Sequence, residues 1–182
     1  KVLVGGSGGR EHALAWKIAR SSLVDEVVCA PGNAGIATVA RCVPVGAGDI
    51  EGIRELTRKE RFGLVVVGPE APLVEGMADR LREDGVLVFG PSAEAAALEG
   101  SKAFAKPFMA RHGIPTARFP VFDAYDPLVP YPAGPAGPQL LNADGLPAGK
   151  GVPLRRSRAQ PINGPTPLPN AAAFRQPARR VI

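Results

Sequence analysis

The chain has 182 residues, enough for one good core or one core with an appendage. Its hydrophobic fraction of 45% is that of an ordinary globular protein, and no apolar run approaches the roughly 20 residues that would span a bilayer. The net charge of +5 sits in the tail: residues 1–144 hold fifteen Lys and Arg against all seventeen Asp and Glu, and residues 145–182 hold seven basic residues and no acid. Without aromatic interleaving or an RNA-binding motif, such a tail does not define a nucleic-acid partner. Neither a nucleic acid nor a membrane is the expected partner.

The opening Lys1-Val2-Leu3-Val4 reads as a first strand, with no charged n-region leading into an apolar h-region, so secretion is not expected. Residues 10–20 follow as a helix with Ala13, Leu14, Trp16, Ile18 and Ala19 on its buried face. Residues 26–30 are a second strand, ended by the turn signal Pro31-Gly32-Asn33. Residues 43–45 are a candidate third strand. Asp49 is placed to cap a helix through Glu60, with Ile50, Ile53 and Leu56 on one face. Leu64-Val65-Val66-Val67 is uninterrupted and β-branched, the mark of a strand buried on both faces of a parallel sheet. One helix is expected over residues 73–83 and a strand over 86–89. Ser92 and Ser101 then cap two helices, the second stopped by Gly113-Ile114-Pro115. The pattern predicts an α/β fold: an open, mostly parallel sheet with helices on both faces. Cys29 and Cys42 lie in apolar strand-like stretches without CxxC spacing. They read as inert buried thiols, with a redox or metal role as the alternative, and a reducing cytoplasm fits them.

Beyond residue 120 the grammar changes. Thirteen of the twenty prolines fall between Pro120 and Pro177, and no amphipathic period survives. The expected division is therefore an α/β domain over 1–120 and an irregular, Pro-rich segment over 121–182. Within the latter one island stands out, Ala143-Asp144-Gly145-Leu146-Pro147-Ala148-Gly149-Lys150-Gly151-Val152.

Gly5-Gly6-Ser7-Gly8-Gly9-Arg10 lies between a strand and a helix. Small residues there let amides approach an anion, and the helix start adds about half a positive charge. A dinucleotide fingerprint would place Gly where Glu11 stands, and an acid at the end of the second strand, where Ala30-Pro31 stands. The loop thus favours a phosphate over NAD, or is a tight turn with no ligand. Pro31-Gly32-Asn33-Ala34-Gly35 and Gly68-Pro69-Glu70 fall at the carboxyl edge of the same sheet. Glu70 suits a ribose diol, or is simply a helix-start acid. Lys102 begins a helix with Lys106 one turn on, reaching a polyphosphate or forming a solvated basic face. The island at 144–151 has the glycines and lysine of a mobile phosphate-covering loop, but not the Walker A spacing. His12 and His112 lack neighbouring ligands in sequence and read as structural.

These phrases, in this order, resemble the glycinamide ribonucleotide synthetase (phosphoribosylamine–glycine ligase) family. The resemblance is carried by residues 4–13, 31–35, 66–76, 89–92 and 99–106, continues through 109–117, and reappears over 143–152. It implies an ATP-grasp ligase of purine biosynthesis, its N-terminal part a pre-ATP-grasp, Rossmann-like domain. Such a ligase joins 5-phosphoribosylamine to glycine with ATP cleaved to ADP and phosphate through a glycyl phosphate. It also implies a cytoplasmic monomer that uses ATP and Mg2+. Transferred by position, Gly8, Gly9, Arg10, Asn33 and Gly35 would line the sugar phosphate and Glu70 the ribose hydroxyls. Lys102 would reach ATP, and Asp144, Gly145, Gly149, Lys150 and Gly151 would belong to the flap over its phosphates. Catalytic residues are not assigned by the resemblance.

There are departures. Asn142 stands where the family usually has Lys, Pro147 replaces a small residue, and no acid follows Asp144 to serve as a magnesium ligand. No resemblance is visible after Val152. The expectation is a substrate-binding domain over 1–120 and, over 121–182, a linker plus a partial or degenerate ATP-grasp segment: an incomplete copy, or one misread after about residue 122, whose own activity is in doubt. The alternatives are a non-catalytic phosphoribosyl-binding module and a Rossmann-type dinucleotide-binding oxidoreductase.

Overall fold

The computed structural model describes residues 1–117, Phe119, and the backbone of Gln139–Leu140 and Leu154–Arg155. The chain divides into two compact units, Lys1–Ala97 and Leu98–Ile182. The composition break at residue 120 lies inside the second.

The first unit is built on five parallel strands: β1 (Val2–Gly6), β2 (Val27–Pro31), β3 (Arg41–Cys42), β4 (Leu64–Val67) and β5 (Val88–Phe89). Their order is β3-β2-β1-β4-β5, so the winding reverses between β1 and β4. Strand alternation sorts the apolar side chains into two cores. Leu3, Val28, Val65 and Val67 face one side, against Ile50 and Ile53 of α2 (Ile50–Glu60), Leu73 of α3 (Glu70–Val74), Met77, Ala78 and Leu81 of α4 (Met77–Glu83), and Ala96 of α5 (Ala93–Gly100). Val2, Val4, Val27, Cys29 and Val66 face the other, against Ala15 of α1 (Gly9–Ile18) and Ile36 of a 3-10 turn over Ile36–Thr38. Leu3, Ile53 and Leu81 are almost wholly buried, and each such side chain contributes about 1.5–3 kcal/mol. Helices thus cover both faces of an all-parallel sheet, as the β-branched runs predict.

Two local readings are corrected. The helix expected over 73–83 is two helices, broken where Gly76 takes a left-handed φ of 86°. The third strand is Arg41–Cys42, not 43–45. Val43 makes the last ladder bond, to the Cys29 carbonyl, and Val45 N–H then turns back onto the Val43 carbonyl. Val43 and Val45 pack against the core as loop residues instead.

In the second unit, Ser101 caps α6 (Lys102–Arg111) by accepting from the Phe104 N–H at 3.1 Å. Further on, Gln139–Leu140 pairs antiparallel with Leu154–Arg155, Gln139 opposite Arg155. The expectation that most of this segment is irregular named no strand here. The ladder brings together residues fourteen and sixteen apart in a stretch without strand periodicity, so nothing local announces it. The remainder of 120–182 lies outside the described residues.

Candidate functional site

Two loops leave the carboxyl ends of β1 and β4 side by side, at the point where the strand order reverses. Open α/β sheets take their ligands in this crevice. From β1 come Ser7, Gly8, Gly9 and Arg10, all exposed; from β4 come Gly68, Pro69 and Glu70, partly exposed. The β2 loop adds Asn33 and Gly35.

The loops are tied together by named bonds. Arg10 Nη2 lies 3.5 Å from Glu70 Oε2. Asn33 Nδ2 donates to the Ser7 carbonyl at 2.6 Å, while Asn33 Oδ1 accepts from the Ile36 N–H at 2.8 Å. Gly35 packs on His12: a Cβ at that glycine would stand 3.1 Å from the imidazole Cε1. His12 thus lies against the β2 loop.

Sequence reading missed the centre of this arrangement. Glu11, in sequence a misfit to the dinucleotide pattern, is buried among the loops, with its side chain 5% exposed. Its Oε2 accepts from the Gly8 N–H at 2.7 Å and its Oε1 from Arg10 Nε at 2.9 Å. Burial pushes its carboxyl pKa upward, but the Arg10 and Gly8 hydrogen bonds and the Arg10 charge outweigh that and hold it below the usual range. Gly8 has given its N–H to Glu11, so the first-turn amides left for an anion at α1 are those of Gly9 and Arg10. The signal available in sequence was the glycine at 6, 8 and 68, each leaving room that some side chain must fill.

Lys102 is half-buried at the first position of α6, in the second unit. Lys106, one turn on, donates from its Nζ to Thr116 Oγ1 at 2.8 Å, and that Nζ lies 5.7 Å from the Phe119 ring centre. Asp144, Gly145, Gly149, Lys150 and Gly151 lie outside the described residues. Cys29 and Cys42 are opposite each other in the β2–β3 register, both free, and burial raises the Cys29 thiol to about 11. Among the described residues no group of three or more His, Cys, Asp or Glu is arranged to hold a metal ion. No helix among them is long and apolar enough to cross a membrane.

An open parallel sheet, helices on both faces and glycine loops gathered at the switch point define a doubly wound α/β protein with its ligand edge at the strand ends. Residues 1–99 match the N domain of phosphoribosylglycinamide synthetase, and residues 100–182 match the ATP-grasp (A) domain of the same enzyme. The chain belongs to this family.

It is 50% identical over 184 residues to a phosphoribosylamine–glycine ligase of Xanthomonas axonopodis pv. citri, covering 100% of this chain and 43% of that protein. With the Xylella fastidiosa ligase it shares 53% identity over 154 residues, 84% of this chain and 35% of the relative. The crystal structure of phosphoribosylamine–glycine ligase from Thermotoga maritima superposes with a TM-score of 0.70 at 32% identity, over 99% of this chain and 42% of that one. The chain therefore spans less than half the length of these relatives. The fold alone is shared with N5-carboxyaminoimidazole ribonucleotide synthetase from Thermus thermophilus (TM-score 0.60, 22% identity). The expectation that resemblance stops at Val152 is corrected, because the ATP-grasp match runs to residue 182. No glycine phrase or periodicity marks those last thirty residues, so they carry no motif legible in sequence.

Proposed function

We propose that this chain carries the sugar-binding domain and the first part of the ATP-grasp domain of a phosphoribosylamine–glycine ligase. In that reaction the glycine carboxylate takes the γ-phosphoryl group of ATP, releasing ADP. The amine of 5-phosphoribosylamine then attacks the glycyl carbonyl carbon and phosphate leaves. The residues of this chain bind and orient the reactants for those steps.

The observation that carries the reading is the convergence of Arg10, Glu70, Asn33 and the first-turn amides of α1 at one edge of the sheet. The Gly9 and Arg10 amides suit the sugar phosphate, at the positive end of the α1 dipole. Glu70, 40% exposed and partnered on one side by Arg10, keeps acceptor capacity for a vicinal diol. Gly8, Asn33 and Gly35 shape the walls. Lys102 at the start of α6 is assigned to an ATP phosphate, and residues 144–151 to the flap above it, with Asp144, Gly145, Gly149, Lys150 and Gly151 as its members. The described residues supply no magnesium site, and the sequence has no carboxylate after Asp144.

A dinucleotide role fits poorly. The Glu11 carboxylate fills the space beneath the glycine turn, and no acid ends β2 to take a ribose hydroxyl. The protein acts on small molecules in this reading, as a monomer in the cytoplasm.

The test is calorimetry with ribose 5-phosphate, the sugar phosphate without the reactive amine. Glu70→Ala should weaken binding by about 1–3 kcal/mol, the cost of a lost charged hydrogen-bond partner. Equal affinity in the variant would remove Glu70 from the sugar site, and no binding by the unmutated chain would remove the sugar site itself.

A further inference from the structure

A carboxylate taken out of water must be met by donors, or the charge is not kept. Glu11 is met twice, by the Gly8 N–H and by Arg10 Nε, and burial within the same small volume is purchased by three absent side chains. A Cβ at Gly6 would stand 2.4 Å from Glu11 Cγ, one at Gly8 2.9 Å from Oε2, and one at Gly68 2.3 Å from Oε1. Backbone from both the β1 and β4 loops thus closes on one acid. A glutamate kept only for solubility or for the helix dipole would stand in water without such walls.

The guanidinium of Arg10 then extends from Glu11 to Glu70. We propose that Glu11 is a positioning residue of the sugar site: it fixes the Gly8 turn and aims Arg10 at Glu70, so that Glu70 is held ready for the substrate's hydroxyls. The inference rests on the reading of the site given under Proposed function. It also divides the labour within the site. One guanidinium serves two carboxylates, leaving the cluster a net charge of −1. A phosphate brought to the tip of Arg10 would meet that surplus. The phosphate therefore goes to the backbone amides of Gly9 and Arg10, and the Arg10 side chain acts through Glu70 rather than on the anion.

Two measurements on the 182-residue chain test this. The first needs no ligand. In 15N-resolved NMR spectra the Arg10 Nε–H should give a slowly exchanging signal that is lost in Glu11→Gln. A signal unchanged in that variant overturns the proposal whatever the chain binds. The second is ribose 5-phosphate calorimetry with Glu11→Gln, alone and in an Arg10→Ala background. Glu11→Gln alone should weaken binding on the order of tenfold, as expected when a charge-assisted hydrogen bond is downgraded. With Arg10 already removed, the same substitution should change affinity by less than about twofold, because coupled residues are non-additive. An equal loss in both backgrounds would reduce Glu11 to loop packing and overturn the positioning role. Should Glu11→Gln fail to fold, Arg10→Lys replaces it, since an ammonium cannot fork between two carboxylates; full affinity in that variant overturns the proposal. Failure of the unmutated chain to bind ribose 5-phosphate, with the Arg10 signal behaving as stated, sinks the functional reading and leaves the clamp standing.

Discussion

The two edges of the sheet use the same device, an arginine between two glutamates, and build it for different ends. At the amino edge Arg41 pairs with Glu26 and Glu60, and Lys1 joins both acids. Two cations meet two anions, and every member keeps from 20% to 42% of its side-chain surface in water. At the carboxyl edge Arg10 pairs with Glu11 and Glu70, and no second cation among the described residues joins them. There one acid is enclosed by glycine backbone and the other is left half in water. A neutral, hydrated cluster ties strand starts together at little cost and little gain. A cluster with surplus negative charge and a buried member costs more to assemble, and that expense supports the sugar site proposed at the carboxyl edge.

The contrast breaks first at Gly6. This residue is buried, holds a φ of 133°, and leaves the space that the Glu11 side chain occupies. Gly6→Ala must strain the backbone and displace an enclosed carboxylate together. A loss of about 2–4 kcal/mol in urea unfolding is expected, from left-handed strain combined with overpacking. An alanine tolerated at no cost would mean that the loop and Glu11 move freely, and that the carboxyl edge is no more constrained than the amino edge.

Asn33 sharpens the comparison with a smaller effect, because it is exposed and yet serves both loops. Asn33→Asp puts an acceptor where Nδ2 donated to the Ser7 carbonyl while keeping the acceptor for Ile36 N–H. The variant should be less stable by about 1 kcal/mol near neutral pH. Below about pH 4, the ordinary Asp range, the protonated side chain regains a donor and the deficit relative to the parent should shrink. A deficit independent of pH would show that this bond does not hold the loops together.

Much of this edge was legible in the sequence, because loops that end buried parallel strands must emerge together. Leu64-Val65-Val66-Val67 announced a central strand by its unbroken β-branching, and it is indeed flanked by β1 and β5. Asp49 and Ser101 were readable as caps because each offers a side-chain acceptor three residues before an N–H that needs one. What could not be read was pairing at a distance. Glu11 looked like a motif error, since burial of a charge depends on glycines five residues upstream and fifty-seven downstream. The two-residue β3 and the ladder between Gln139–Leu140 and Leu154–Arg155 are too short to carry a period. Gly76 carried the break between α3 and α4, but a lone glycine in an apolar helical pattern does not by itself declare its φ.

The smallest effect is expected at the amino edge, and it tests whether that cluster is as dispensable as its exposure implies. Hydrogen bonds from Arg41 first, and then from Lys1, hold the Glu26 carboxyl down from an ordinary 4.5 to about 2. A carboxyl depressed in the folded state contributes stability above its unfolded pKa and loses it as pH falls through the folded value. The contribution of Glu26 should therefore be complete above about pH 4.5 and fade toward pH 2. Arg41→Ala removes the largest cause while Lys1 still reaches Glu26 at 2.9 Å, so the Glu26 titration, followed by NMR of its side-chain carbonyl carbon, should move up without reaching its ordinary value. The melting temperature near pH 7 should fall by no more than a few degrees, in keeping with exposed ion pairs. About 1 M salt should erase much of that difference, since the Debye length is then near 3 Å. A drop comparable to that of Gly6→Ala, or one indifferent to salt, would mean that the amino edge is structural in its own right and that the two edges differ less than their burial suggests.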